Sequence, residues 1–311
     1  MDARALTRRG FLARSAAAGA AALLLPSPAH PFTPSPFHPF TPDPDDRERL
    51  ASWLRTLRDE GLADPAVPLG RAVARVGELT LGAPYAAYTL EQYLVDGGSP
   101  EEEPLTLHLS KFDCVSLVES ALAVARAAAA RDGGWDRFAV EMERMRYRGG
   151  VRDGYASRLH YFSEWIRDGE RRGLLADLGP SLGAERDERP LRFMSEHRDA
   201  YPALRDDATF AAIVERERAL DCCPRNLVPK ARVAEITPRL ETGDILAFGT
   251  AIAGLDVTHT GLAYRDRAGV MRVLHAPLSG GVVQVSPGTV AEYVDALRGC
   301  TGILAARPHR A

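Results

Sequence analysis

The chain has 311 residues, 45% of them hydrophobic and 26% charged, with a formal net charge of −3. That is the composition of a globular protein with enough apolar residues for a sizeable core. The slight acidic excess excludes nucleic-acid binding through a basic surface, and four cysteines are too few for a disulfide framework at this length.

In chain order, Thr7-Arg8-Arg9-Gly10-Phe11-Leu12 followed by the apolar run Ala16 to Leu25 resembles a twin-arginine export signal. The run is too short to span a membrane as a mature helix, and cleavage is expected after Ala29. Residues 1–29 are therefore read as a signal, and no stable membrane insertion is expected after its removal. The destination is the periplasm or the cell exterior; the alternative is a cytoplasmic tail that happens to contain Arg-Arg. Residues 30–46 carry prolines at 31, 34, 36, 39, 42 and 44, the composition of a semi-rigid extended linker.

The remainder, 47–311, reads as a single catalytic domain. Helices are predicted over about 46–60, ended by Gly61, and over 70–79, stopping before Gly82-Ala83-Pro84. Glu101-Glu102-Glu103 reads as a solvated loop. A long helix runs from Cys114 to Ala130, a stretch without Gly or Pro and rich in helix formers. From 131 to about 235 the pattern is polar and mostly helical, with helices near 135–146, 158–172 and 207–219. The C-terminal part changes to short β-branched runs at 244–248, 257–264, 270–275, 281–285 and 302–306, with a helix over 289–297. A helix bearing a cysteine, packed on a small antiparallel sheet and carrying a helical insertion, is an α+β plan.

The chemistry centres on Cys114. Asp113 is a favoured N-cap, and Ser110-x-x-Asp113 also reads as a capping box. Either places the thiol on the first helical turn, where free N–H groups and the helix dipole favour a thiolate. The bland reading is a small buried core cysteine. Downstream, His259 and His275 lie on consecutive predicted strands joined by a tight turn, which pair as a hairpin and bring the two rings to one end of the sheet. A thiol nucleophile needs a base and a third group to orient that base. Cys114, His259 and His275 supply such a set. The same three could also contribute to a zinc site, but no fourth ligand stands at characteristic spacing, so no metal or cofactor is assigned.

These residues lie in a recognisable order. Pro84-Tyr85, Phe112-Asp113-Cys114, Gly243-Asp244-Ile245, His259-Thr260-Gly261 and His275-Ala276-Pro277 resemble the NlpC-type cell-wall cysteine peptidases, a papain-like fold. Arg146-Tyr147-Arg148-Gly149-Gly150, the segment Gly154 to Trp165, and Leu255-Asp256-Val257-Thr258-His259 are similar to the N-acetylmuramoyl-L-alanine amidase-like branch. The resemblance covers about 70–306. It implies a nucleophile at Cys114, a general base at His259, an orienting group at His275, and Tyr85 lining the site.

It also implies peptidoglycan or muropeptides as substrate, with the amide between muramic acid and L-alanine as the bond cut. The alternatives are a stem-peptide endopeptidase acting after D-glutamate and a non-catalytic wall-binding module of the same fold. Muropeptides carry carboxylates, so Arg148 and Arg158 are candidate substrate contacts, beside Asp113 and Tyr155. Against this, arginines are common at surfaces, and Tyr155, Tyr161, Phe162 and Trp165 have partly helical spacing, which reads as core. The segment 176–192 aligns with nothing. In an oxidising compartment Cys222 or Cys223 could pair with Cys300, with reduced cysteines as the alternative. Oligomeric state is not legible.

Overall fold

The structure, a computed structural model, describes residues 44–310. The signal assigned to 1–29 and linker residues 30–43 lie outside the described residues. Helix α1 (Pro44–Asp59) opens on a proline, whose missing N–H has no helical partner at that position. It buries Leu50, Trp53, Leu54 and Leu57 on one stripe. Its buried Asp46 accepts the Leu109 N–H at 2.9 Å and so ties α1 to the segment that leads to Cys114. Helix α2 (Leu69–Leu79) follows. Its start touches the turn before the sheet: a Cβ on Gly243, at φ +89°, would lie 1.9 Å from the Gly70 carbonyl oxygen, so only glycine fits there.

Helix α3 (Cys114–Ala129) is buried almost all round and packs against α1, α2, a fourth helix and the sheet. Its alanines let four neighbours approach, as expected of a central helix apolar on every side. That fourth helix, α4 (Trp135–Arg146), and the later α6 (Asp207–Ala219) lie where the sequence predicts them. Helix α5 (Phe162–Arg171) starts four residues later than predicted. Its predicted first turn is instead extended: Leu159 N–H donates to the Arg146 carbonyl at 2.9 Å, and Tyr147 and Arg158 form a bridge.

Among the described residues the sheet has eight strands, all antiparallel. They are β1 (Leu175–Asp177), β2 (Glu185–Asp187), β3 (Arg225–Pro229), β4 (Ile245–Thr250), β5 (Val257–Arg265), β6 (Met271–His275), β7 (Gln284–Val285) and β8 (Cys300–Pro308). Their order is β2-β3-β8-β4-β5-β6-β7, with β1 also pairing with β8. The inserted segment is thus not only helical, because β1, β2 and β3 extend the sheet from within it. They are three to five residues long and rich in Arg and Asp, so neither alternation nor β-propensity marks them. The backbone edge of β8 takes up β1 and β3, and β3 in turn takes up β2. The charges on β2 suit an edge strand, which must repel further pairing.

The central strands alternate cleanly. Ile245, Ala247, Leu262, Leu274 and Leu304 join the core under α3, while Leu246, Phe248, Ala263, Val273 and Ile303 face α7 (Val290–Ala296). The α+β plan holds, on a larger sheet than the sequence implies. No described helix is long and apolar enough to cross a membrane. Cys222 and Cys223 are bonded to each other and Cys300 is a free buried thiol, so neither the pairing with Cys300 nor the fully reduced alternative is what the structure holds.

Candidate active site

Cys114 is the first residue of α3. Asp113 is its N-cap, and the capping box closes with Ser116 rather than Ser110: Ser116 N–H donates to Asp113 Oδ1 at 2.7 Å, and Asp113 N–H to Ser116 Oγ at 2.9 Å. Thr260 on β5 seats the helix start on the sheet, its hydroxyl donating to the Cys114 carbonyl at 2.8 Å. The thiol is buried. Burial pushes it up to about 12 and the neighbouring Asp113 carboxylate adds to this, while the Thr260 N–H and hydroxyl and the Cys114 N–H pull the other way. The helix-start argument, which predicts a depressed thiol, is therefore outweighed by desolvation in the closed site.

His259 is the third residue of β5 and His275 the last of β6. Leu262 stands opposite Leu274, so the two histidines form a diagonal cross-strand pair on one face. Gly261 between them leaves the space; a Cβ there would lie 3.1 Å from that of His275. His259 Nε2 and His275 Nδ1 are 2.8 Å apart. Burial holds both rings neutral: His259 falls to about 3, with His275 adding like-charge repulsion, and His275 falls to about 4.

A residue the sequence reading missed completes the group. Tyr293 of α7 sets its hydroxyl 3.3 Å from His275 Nδ1 and packs its ring against Phe248 and both histidines. The sequence signals the helix over 289–297, but not which of its side chains turns inward.

His259, Tyr293 and Tyr85 line a cleft of about 740 Å³ rimmed by Ile252, Leu278 and Leu297. Tyr85 is half-buried; burial first, then the nearby Cys114 and Asp113, push its phenol up. A second cleft, of about 1090 Å³ at the far end of β5 beside Tyr264 and Arg265, is lined by neither histidine of the pair, and Cys114 lines neither cleft. Among the described residues no group of three His, Cys, Asp or Glu side chains is placed to hold a metal ion, and no hydrogen bond joins the Cys114 thiol to the His259 ring.

The other expected contacts lie elsewhere. Arg148 bonds Glu164 at 3.2 Å and the Ala156 and Arg158 carbonyls. Arg158 is buried between Glu91 at 3.0 Å and Glu103 at 3.4 Å, over the Tyr155 ring. Tyr155 is buried and donates to Glu91 at 3.3 Å. Glu103, read as part of a solvated loop, is buried and accepts the Tyr147 hydroxyl at 2.9 Å. None of these lines the cleft.

A family model described as AmiA-like, N-acetylmuramoyl-L-alanine amidase-like, matches residues 75–302. An N-acetylmuramoyl-L-alanine amidase structure from Bacteroides uniformis superposes with a TM-score of 0.71 at 30% identity, covering 78% of this chain and 99% of that one. A Bacteroides fragilis structure provisionally named a xylanase gives 0.67 at 33%, covering 75% and 99%. A Legionella pneumophila protein, at 18% identity and a TM-score of 0.62, covers 85% of this chain and 94% of its own and shares the fold. No curated protein matches. With residues 75–302, most of its length, matched by the family model, the chain belongs to the N-acetylmuramoyl-L-alanine amidase-like family.

Proposed function

We propose that this chain is an exported cysteine amidase of papain-like, NlpC type, hydrolysing the amide between N-acetylmuramic acid and L-alanine in peptidoglycan fragments. The observation that carries the reading is the 2.8 Å contact between His259 and His275, beside a cysteine held at a helix start. His275 Nδ1 faces both the His259 Nε2 and the Tyr293 hydroxyl, and in this reading it accepts from both. His275 then carries its proton on Nε2, and His259 keeps a lone pair on Nδ1, the form a general base requires.

In this mechanism His259 takes the thiol proton as sulfur attacks the lactyl carbonyl. The Cys114 N–H at the open helix start steadies the oxyanion. The carbon–nitrogen bond breaks, and His259 returns the proton to the departing L-alanine amine. Water, deprotonated by His259, then cleaves the thioester and restores the thiol. Burial disfavours thiolate and imidazolium separately; formed side by side they compensate each other. The proton therefore moves as the substrate reacts rather than beforehand.

Mass spectrometry of a defined muropeptide after incubation tests the reading. Free N-acetylmuramic-acid saccharide and intact stem peptide are expected. A muramyl dipeptide product would instead point to the endopeptidase. A glycosidase, the activity in the provisional xylanase name, needs two carboxyl groups across the bond, and no Asp or Glu lines this cleft among the described residues.

Two further outcomes follow. His275→Ala is expected to lower kcat about 100-fold, within the range of general base catalysis, with KM little changed. A loss confined to KM would remove the orienting role. Because the base must be neutral and His259 is held at about 3, the acid limb of kcat/KM should fall well below the ordinary imidazole value of about 6.5. Activity should persist to pH 5, with no alkaline limb from the thiol below about pH 9. An acid limb centred at or above 6.5 would contradict the buried neutral base.

A further inference from the structure

The cleft that holds His259 and Tyr293 is walled by apolar and neutral groups with one exception. Arg298 is the only charged side chain in its lining among the described residues. It is exposed and has no ion pair among the described residues. The neighbouring carboxylate of Asp295 is directed to Lys230, at 3.5 Å. Arg298 sits on the tight turn between α7 and β8. There the Ala251 N–H donates to the Gly299 carbonyl at 3.0 Å and the Cys300 N–H to the Leu297 carbonyl at 3.2 Å, with Gly299 at φ +73°. The backbone beneath the guanidinium is thus fixed from both sides. Its rim neighbours Ile252 and Leu278 are among the few large apolar side chains left exposed. An apolar trough with a single cation on its rim fits a peptide that carries a carboxylate.

We propose that Arg298 is the specificity-determining residue of this cleft, pairing with the free α-carboxylate of the second residue of the stem peptide. The inference rests on the amidase reading above and adds the substrate's charge to it. Arg148 and Arg158 cannot serve, since both are engaged with interior carboxylates away from the cleft.

The test uses two muramyl tripeptides that differ only in bearing an α-carboxylate or an α-carboxamide on the second residue. Wild type is expected to prefer the acid about tenfold in kcat/KM, the scale of one solvent-exposed charge-assisted hydrogen bond, mainly through KM. The preference should shrink as ionic strength rises. Arg298→Gln should remove it by slowing the acid alone, and Arg298→Lys should retain part of it. If Arg298→Gln slows both substrates equally or leaves the preference intact, the proposal is overturned. Calorimetric binding of the same two compounds to the Cys114→Ala protein reads the inference independently of turnover. Equal affinity for acid and amide there would sink it. Absence of any lactyl-amide cleavage by wild type would sink the amidase reading instead.

Discussion

Cys114→Ala is expected to abolish muropeptide cleavage, with a loss on the order of 10⁴-fold or more, roughly 5 kcal/mol of transition-state stabilisation. The fold should be indifferent to the change. Alanine is the best helix former, the cap is made by Asp113 and Ser116 rather than by the cysteine, and the neighbours of the site are held by Thr260 and the histidine pair. The thermal midpoint should therefore move little. Cys114→Ser should be nearly as inactive, because a buried hydroxyl gives up its proton less readily than a thiol. A fully active Cys114→Ala protein would show that the sulfur is a core atom and not a nucleophile.

The largest stability effect is expected at Arg158. Its guanidinium stands between Glu91 and Glu103 and covers the Tyr155 ring, with both Arg158 and Glu103 buried. Arg158→Ala leaves the Glu103 carboxylate without its main cation. Burial already raises that carboxyl and Arg158 is the chief group lowering it. Breaking a buried pair in this way costs about 3–5 kcal/mol, or a midpoint roughly 10 °C lower for a chain of this size.

The sign with pH follows. Without Arg158, Glu103 rises further above its unfolded value, and folding then favours the protonated acid. The deficit should be greatest at neutral pH and shrink as pH falls. Adding Glu103→Gln should recover part of it. Calorimetry across pH checks both, and KM measured on the folded fraction should be unchanged. A raised KM with unaltered stability would return Arg158 to the substrate.

Arg158 also illustrates where sequence reasoning stops. An Arg-rich stretch near an anionic substrate's enzyme invites a binding role, but its partners Glu91 and Glu103 lie more than fifty residues upstream. Only the fold reveals the pairing. Glu103 sits in an acidic triplet and reads as solvated; the Tyr147 hydroxyl and Arg158 make it interior.

What was legible depended on local rules. The Asp113 cap and the alanine run fix α3, and alternation with turn residues marks β4, β5 and β6, so the histidine pair was deducible before any coordinate. Strands β1, β2 and β3 were not, because their pairing is imposed by a neighbour's free edge. Tyr293 and Arg298 were missed for a related reason. Their positions depend on the phase of a short helix and on the turn after it, which sequence periodicity over seven residues does not resolve.

The place of β8 between β3 and β4 has a consequence for biosynthesis. Strand β4 leaves the ribosome well before β8, and until β8 arrives the middle of the sheet presents two open backbone edges. The hairpin that carries the histidines can close early, but the platform behind it cannot. Nascent or prematurely ended chains lacking Cys300–Pro308 should thus be sticky rather than partly active, and a chaperone holding β4 would be most useful during that interval.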